Sequence, residues 1–534
     1  MQTFVSLTFG GGLNNNHPGI VRHNEIRDCI NIDLDRDGMP STRRGSKFYD
    51  TSGGTDYAAI TESGTAKSLN GIHQFRNDDG TYKLIATAGT KIYYDNGSAF
   101  VALTGHTLTD SDSLLTQFCE ASITSSSSVV FGTNNVDKPW YWDGSATSVS
   151  LLTATDNTPT KTKAMVWYQG YLIHGNYELT PGTGAVRYQN RIRWSNVYAP
   201  NTYDAGDSLP VGTHDDPIEA LIPFIDYVLV LKKHSMWLMV PNYEPFWEGD
   251  VADPFRIQLI HPRIGCDAPR SVVRTDNEVV WFNKDGWYLY DGRGTNEDNV
   301  HKISHHIDLS GIEQSEVEKS HAVYLQNRDQ IRTWVPDDED NDDGERLSVF
   351  YSIHPYLVDQ YQKRPAFTKN KLAVSTTVSA SKCSCHGFNS SGGETVFLGT
   401  EDGRVVVMEQ STFVDLDAAM RSYLHTSYWD MRTTKRKKFH KVRVYQKAQA
   451  CTMTVTQFQD LGEIHLQEEL DFSTSSTIWG GITWPITWGS GIYVYREMML
   501  DGIDRFTSFG FETNQSEHGL QLVRIAVDYD TADH

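Results

Sequence analysis

The chain has 534 residues and a formal net charge of −21, from 47 lysines and arginines against 68 aspartates and glutamates. This balance argues against a protein that wraps nucleic acid through phosphate contacts, because those contacts need a cationic surface. No apolar stretch reaches the roughly 18–20 residues of a membrane-spanning helix, and the first ten residues lack the basic and apolar regions of a secretory signal.

One short pattern recurs along the chain: an apolar strand, a tight turn, an aromatic strand and then Asp-Gly or a similar pair. Each copy is typical of a β-hairpin, since these turn residues tolerate a positive φ. The first two copies end at Gly97 and Gly144, 47 residues apart, which is close to the roughly 40–50 residues of a four-stranded propeller blade. The four copies, of which the last is the weakest, are 83–97, 129–144, 278–292 and 395–408.

The rest of the chain also favours strands and turns. Residues 164–174 predict a hairpin about Gln169-Gly170, and the dense apolar pair at 218–231, followed by 234–240, is typical of central strands buried on both faces. Helix is expected only in two short segments, 311–320 and 415–422.

These patterns predict an all-β protein: a β-propeller of six to eight blades with a C-terminal antiparallel β-sandwich-like domain. After residue 430 the segments 441–446, 452–457 and 520–529 alternate cleanly between apolar and polar residues. We therefore predict an N-terminal arm and strand leading into the propeller at 1–60, the propeller at 61–430, and a C-terminal β-domain at 431–534.

Asp33-Leu-Asp-Arg-Asp-Gly38 has the opening carboxylate spacing of a calcium loop. The twelfth position, which supplies a bidentate carboxylate in such loops, is Arg44 here. The mismatch favours a plain Asp/Gly turn.

Cys383-Ser-Cys-His386 brings three soft zinc ligands into four residues. A strand places the two cysteines on one face and His386 on the other, so a buried thiol pair is the better interpretation. The six cysteines include no Cys-x-x-Cys pair, which fits assembly in a reducing cytoplasm. His301, His305 and His306 lack a His-Glu-x-x-His register. No P-loop, dinucleotide fingerprint or nucleophile elbow occurs either, so we predict no catalytic, cofactor or metal residues.

Two charged segments interrupt the strands. The acidic loop at 337–345 is a candidate wall or constriction of a DNA channel, because a repulsive surface leaves DNA mobile. A solvated loop and a calcium site are its alternatives. Its candidate lumen residues are Asp337, Asp338, Glu339, Asp340, Asp342 and Asp343.

The dense basic run at 431–443 favours contact with an acidic neighbouring subunit over contact with DNA, given the acidity of the whole chain. The Trp-rich segment at 477–489 is typical of a subunit wedge or of a surface that stacks on sugars. The candidate subunit contacts are Lys435, Arg436, Lys437, Lys438, Trp479, Trp484 and Trp488.

The N-terminal stretch resembles the opening of tail nozzle proteins, also called stabilisation or tail tubular B proteins, of short-tailed bacteriophages. Such chains begin with a Gly-Gly-hydrophobic patch, an Asn-Glu step, an Asn-x-Asp strand and an Arg-x-Gly turn. Later stretches at 168–174, 190–196 and 217–240 are similar too, and the C-terminal strands resemble the family's terminal β-domain. The matching N-terminal positions are Gly11 to Asn14, Pro18, Asn24-Glu25, Cys29 to Asp35, Gly38 and Arg43 to Gly45.

The resemblance implies a structural virion protein without catalytic residues, assembled as a hexameric ring below the portal and adaptor. Such a ring forms the distal tail channel, retains the genome and conducts DNA during ejection, with tail adaptor proteins and tail fibres or spikes as partners. The chain is shorter than the longest family members, so we expect a large inserted fibre-docking or tip domain to be reduced or absent. Two alternatives are a receptor-binding or hub protein of the tail tip, and a propeller glycan hydrolase.

Overall fold

The computed structural model is built almost wholly of β-strands. It describes residues 1–534 except 7, 17–20, 51–53, 125–126, 154, 182–183, 243–253, 338–346, 359–363, 373–380, 417, 432, 434, 448–450, 460–462, 473–477, 480–481, 484–492, 517–518 and 532–534. The helices in this part of the chain are four 3₁₀ turns, Pro269–Ser271, Glu297–Asn299, Val317–Lys319 and Gln326–Arg328. None of the described helices is long and apolar enough to cross a bilayer.

Strands are numbered in chain order. The N-terminal segment supplies β1 (Gln2–Ser6), β2 (Gly12–Leu13), β3 (Glu25–Ile30), β4 (Ile32–Leu34), β5 (Pro40–Thr42), β6 (Gly45–Phe48), β7 (Thr61–Glu62) and β8 (Thr65–Ala66).

Seven four-stranded antiparallel blades follow from the pairing of the described strands. Blade one is β9 (Leu69–Arg76), β10 (Tyr82–Ala88), β11 (Lys91–Asp95) and β12 (Phe100–Leu103); blade two is β13 (Gln117–Thr124), β14 (Ser127–Thr133), β15 (Trp140–Trp142) and β16 (Ser150–Leu151). Blade three is β17 (Lys161–Tyr168), β18 (Tyr171–Leu179), β19 (Val186–Trp194) and β20 (Ser208–Pro210); blade four is β21 (Ile218–Phe224), β22 (Tyr227–Lys232), β23 (Met236–Pro241) and β24 (Phe255–His261). Blade five is β25 (Val273–Arg274), β26 (Val279–Asn283), β27 (Gly286–Tyr290) and β28 (Val300–Lys302); blade six is β29 (His321–Leu325), β30 (Gln330–Val335), β31 (Val349–Val358) and β32 (Pro365–Lys371). Blade seven contains β33 (Ser381–Phe388), β34 (Glu394–Thr400) and β35 (Val405–Gln410), with β6 as its outer strand.

The recurring hairpins predicted from the sequence are the second and third strands of blades. They form β10–β11, β14–β15, β26–β27 and β34–β35. Their aromatic residues fill the space between neighbouring blades: Trp281 and Tyr290 of blade five lie in one buried cluster with Phe224 and Leu229 of blade four. The repeat is therefore visible in sequence because each blade buries both of its faces.

An N-terminal strand closes the ring of blades. β6 pairs antiparallel with β35, with Lys47 opposite Val407, although the two strands lie more than 350 residues apart. β6 also meets the short strand β36 (Val414–Asp415), which pairs with β37 (Ala418–Ala419). The prediction of a helix over 415–422 was therefore wrong.

The C-terminal unit consists of two sheets that share one buried core, as predicted for a sandwich-like domain. Its further strands are β38 (Ser422–Thr426), β39 (Lys437–Lys447), β40 (Thr452–Gln459), β41 (Glu463–Asp471), β42 (Ile478–Trp479), β43 (Ile482–Thr483), β44 (Tyr493–Met499), β45 (Ile503–Asp504), β46 (Ser508–Thr513) and β47 (Leu522–Thr531). One sheet runs β1-β47-β39-β44, with β45 also beside β39, and the other runs β2-β3-β38-β46-β40-β41. The fold class predicted from the sequence is thus confirmed by the strand pairing.

The sheets divide the chain differently from the predicted boundaries at 60 and 430. β1, β2 and β3 belong to the C-terminal sheets, whereas β6 belongs to blade seven. β38 already pairs with β3 and β46, before residue 430. The first 48 residues therefore join both units, and their core is continuous with that of blades five and six.

Candidate functional site

The first strands of the blades surround an axial channel. β33 packs against β9, which closes the circle of first strands, and β17 packs against both β13 and β21. Two cavities of about 580 and 690 Å³ lie along this axis. Both are lined by Gln117, Pro269 and Arg270, so these residues form the neck between them.

The smaller cavity has charged walls of balanced sign. Its wall carries five cations and five carboxylates. The cations are Lys163, Lys233, Arg270, Lys319 and Lys382, and the carboxylates are Asp112, Glu219, Asp267, Glu318 and Glu401. Glu219 is buried and pairs with Lys163. Burial raises the pKa of Glu219, while the charge of Lys163 opposes this rise.

Arg270 is fixed at the neck by backbone carbonyls. Its guanidinium donates to the carbonyl of Lys382 at 3.0 Å and to that of Lys319 at 2.8 Å. Burial lowers the pKa of Arg270 to about 10, which leaves the group cationic at neutral pH. The neck therefore presents a fixed positive charge.

The larger cavity is cationic. Its wall includes Arg76, Arg270 and Arg274 against one carboxylate, Glu120, which accepts from His73 at 2.8 Å. Cavities of this size match small molecules, for which roughly 300–1,000 Å³ is usual. The two cavities on the axis are thus balanced or cationic in charge and not acidic.

The acidic loop is described only at its start. Asp337 is 2% exposed, forms a bridge with Ile312, and pairs with Lys369 at 3.3 Å. This carboxylate anchors the base of the loop and is not a solvated wall residue in the single chain. Asp338, Glu339, Asp340, Asp342 and Asp343 lie outside the described residues.

The four adjacent cations at 435–438 comprise one buried lysine and three exposed cations. Lys437 is 0% exposed, and its ammonium donates to the carbonyls of Thr433, Lys435 and Arg505 at 2.7, 2.9 and 2.7 Å. Burial lowers the pKa of Lys437. Lys437 therefore holds the entry to β39 together, and its neighbours Lys435, Arg436 and Lys438 are exposed.

The Trp-rich segment is described only in part. The backbone at Trp479 pairs with Ile482 in the β42–β43 ladder. Trp484 and Trp488 lie outside the described residues.

The candidate metal ligands have other roles. Asp35 caps a turn by accepting from the backbone N–H groups of Asp37 and Met39 at 2.9 and 2.8 Å, as an Asp/Gly turn predicts. Cys383 and Cys385 are both buried against blade one, and burial raises the pKa of Cys383 to about 12. The described residues contain no group of three or more His, Cys, Asp or Glu side chains suited to a metal ion.

The N-terminal motif residues form buried polar contacts between the two units. Asn31 has a φ of 59°, and its side-chain oxygen accepts from Arg43 Nε and from the Lys371 N–H, both at 2.9 Å. The Arg43 guanidinium is fully buried and binds the Asp415 carboxylate through both terminal nitrogens. One arginine thus joins the N-terminal segment to the exit from blade seven.

A second buried cluster contains Asp33, Arg328, Arg332 and Glu409. Arg332 lies 2.6 Å from Glu409 and 3.4 Å from Asp33, and Arg328 lies 2.6 and 3.2 Å from the same carboxylates. Burial alone raises the pKa of Asp33, but Arg332 and Arg328 outweigh this effect and hold the pKa below its usual value. We call these four residues the junction cluster, because they connect β4 with blades six and seven.

Sequence analysis missed this cluster, although one signal for it was present. Arg332 lies in Gln330–Val335, where every residue is buried. A buried arginine requires partners for its charge, most often a carboxylate. The partners lie about 300 and 77 residues away in sequence, so only the fold identifies them.

Among known proteins, likeness is found to solved structures alone. No family model matches the chain, and no curated protein matches it. The chain is similar to a structure described as BBS1N in complex with ARL6DN, soaked with mercury, at 11% identity over 69% of this chain and 98% of that chain, with a TM-score of 0.40. The lead-soaked form gives 12% identity over 68% of this chain and 97% of that chain, with the same TM-score of 0.40. A likeness of this degree carries no inference about function.

Proposed function

We propose that this chain is a structural protein of the tail of a short-tailed bacteriophage. It forms the distal tail channel, retains the genome and conducts DNA during ejection, and it does so without catalysis. The observation that carries the proposal is the resemblance of residues 11–45 to the opening of tail nozzle proteins. Three described residues of that motif, Asn31, Asp33 and Arg43, make buried contacts at the junction of the two units.

The channel is formed between copies of the chain. The cavities on the axis of one propeller have the size of small-molecule sites, whereas a ring of chains encloses a wider space. A net charge of −21 favours a repulsive wall along which DNA slides. The proposed assembly is a hexamer in the virion tail, built in the host cytoplasm, with adaptor proteins above it and fibres or spikes on its outer side.

The stoichiometry of the purified chain tests this proposal. Native mass spectrometry or electron microscopy is expected to find a closed ring of six copies. Particles that lack the chain are expected to assemble heads and to lose their packaged DNA. A monomer or trimer at the fibre tip would instead support the receptor-binding alternative.

The acidic loop provides a second test. Replacing the carboxylates of 338–345 by amides, with Asp337 left intact because it pairs with Lys369, is expected to leave folding unchanged. The rate of DNA ejection is expected to change most at low salt, since screening shortens the field to about 10 Å near 0.1 M ionic strength. Equal ejection rates at all salt concentrations would remove this loop from the channel wall.

One observation favours a second candidate, a propeller that hydrolyses glycans. Glu219 and Glu318 line the same cavity, and glycoside hydrolysis uses two carboxyl groups that flank the scissile bond. The enzyme would be supported if the purified chain cleaves host capsule. Glu219→Gln should then abolish the cleavage, and Asp226→Asn, on an exposed hairpin, should leave it unaffected.

A further inference from the structure

Two sheet edges lie side by side in the C-terminal unit. β41 is the last strand of one sheet and β44 is the last strand of the other, and no described strand pairs with their outer sides. Arg496 of β44 donates to the carbonyl of Asp471 at the end of β41 at 2.6 Å. The exposed backbone groups of such edges bind a further strand readily.

These edges expose large apolar side chains. Ile464 of β41 and Met499 of β44 are each 66% exposed, and Tyr495 and Ile503 are 52% and 55% exposed. Tyr495 also lies 5.4 Å from Tyr445 of the neighbouring strand, ring centre to ring centre. Grouped exposure of this kind marks a surface that binds a partner.

The β41 edge is acidic and does not fit a second β41. Its nine residues include Glu463, Glu468, Glu469 and Asp471, all exposed, and no lysine or arginine. Two copies of this strand paired about a two-fold axis would bring carboxylates together, which is destabilising. The partner of β41 must therefore offer positive charge.

The same chain carries such a surface next to the other edge. Lys435, Arg436 and Lys438 are exposed at the start of β39. Lys438 is the register partner of Ile503, and Lys441 is that of Met499. Lys438 thus adjoins Ile503 of β45, and Lys435 and Arg436 shortly precede it in the chain.

We propose that β41 of one copy of this chain binds along the β44–β45 edge of another copy, with its carboxylates against Lys435, Arg436 and Lys438. The inference rests on the proposed assembly and names the surfaces that build it. When two different surfaces of one chain are complementary, they specify a contact between identical copies of that chain. Exposed charges supply orientation, and the apolar side chains supply contact area.

Charge reversal tests the contact. Two variants are each expected to convert the assembly to monomers in native mass spectrometry. The first combines Glu468→Lys with Glu469→Lys. The second combines Lys435→Glu, Arg436→Glu and Lys438→Glu. Lys437 is left unchanged because it is buried. An equimolar mixture of the two variants is expected to restore assembly with alternating composition, as is a chain that carries both sets of changes.

Matched controls reverse exposed charges on propeller hairpins. Two control variants are expected to assemble as the unaltered chain does. One combines Asp226→Lys with Asp276→Lys, and the other combines Lys91→Glu with Lys284→Glu. Circular dichroism and the unfolding midpoint of every variant are expected to match those of the unaltered chain. A loss of assembly that the mixture does not restore would overturn the proposal.

The contact and the ring fail in different ways. If the unaltered chain forms rings and both reversals leave them intact, the contact is overturned and the ring stands. If the unaltered chain forms only pairs that the reversals dissociate, the contact stands and the hexameric ring does not. The chain could also remain monomeric at high concentration while the charge reversals still abolish tail assembly in virions. This result would show that the edge binds a different tail protein, and it would overturn the contact between copies.

Discussion

The propeller and the C-terminal unit are both sheets of mainly antiparallel strands, but they are assembled over different distances in the chain. Within each of blades one to six, the described strands pair in the order in which they follow in sequence. In the C-terminal unit β1 pairs with β47 and β3 pairs with β38, across almost the whole chain. Local hairpins therefore build one unit, and the two ends of the chain build the other.

The two units also differ in their edges. The blades form a closed circle, completed by β6, whereas the C-terminal sheets end in β41 and β44. Closed rings of blades protect their edges, and open sheets leave edges that bind partners. The described propeller edges are therefore closed and those of the C-terminal unit are open, and it is the open edges to which the proposed assembly assigns partner binding.

Loss of the junction cluster is expected to have the largest effect. Arg332→Met leaves Asp33 and Glu409 buried without their fully enclosed cation, and such a loss costs about 3–5 kcal/mol. Calorimetry is expected to resolve two transitions in place of one as the units uncouple. Arg328→Met is the control, because Arg328 is 30% exposed and water replaces part of its contribution. An equal loss in both variants would contradict the coupling role of Arg332.

Acid is expected to destabilise the propeller more than the C-terminal unit. Burial lowers the pKa of His174 and His306 to about 3 and that of His354 to about 4, all from 6.5. The unfolded chain binds protons at these residues below pH 6.5 and the folded chain does not, so stability falls as the pH drops from 6.5 toward 4. Each histidine contributes about 1.4 kcal/mol per pH unit in this window.

His306→Phe tests this difference. His306 packs edge-on against Phe367 at 5.3 Å, so a phenyl ring retains the contact without the proton site. The variant is expected to recover about 2–3 kcal/mol of the free energy of unfolding at pH 4.5 relative to pH 7. His305→Phe, at the exposed neighbour, is the control variant; equal pH profiles for the two variants would contradict the prediction.

Closure of the propeller depends on close approach of the chain at Gly45. A Cβ atom there would lie 2.0 Å from the backbone oxygen of Val414. Gly45→Ala is therefore expected to cost about 1–3 kcal/mol by displacing β6 from blade seven. Gly206→Ala, where nothing lies within 4 Å of the added atom, is the control in urea unfolding. A midpoint for Gly45→Ala that matches the control would show that β6 adjusts freely.

An effect of similar size is expected at the entry to β39. Lys437→Met leaves three backbone carbonyls without the donor that they share, a loss of about 1–3 kcal/mol. Lys438→Met, one residue further, is expected to stay within about 0.5 kcal/mol of the unaltered chain. Both are measured by urea unfolding. A reversed order would contradict the division of the cations at 435–438 into one buried and three exposed residues.

The sequence by itself determined the fold class and the hairpins inside the blades. Those features depend on alternation and turn residues within about 15 positions, as in Glu278 to Gly292, where periodicity and a positive φ are local properties. The same locality placed Cys383 and Cys385 on one buried face. The charged neighbours of Asp337 and Lys437 in sequence predict a channel-wall residue and a subunit contact, respectively, and give no sign that either side chain is buried.

Only the tertiary structure decided which charges are buried and which sheet edges remain open. Asp337 meets Lys369, Arg43 meets Asp415, and Arg332 meets Asp33 and Glu409 through pairings that span tens to hundreds of residues. A buried ion pair offsets its loss of hydration only when the two partners meet in close geometry, which depends on distance in space and not on spacing in sequence. For the same reason β1, β2 and β3 join the C-terminal sheets, since strand partners are chosen by shared burial over the whole chain.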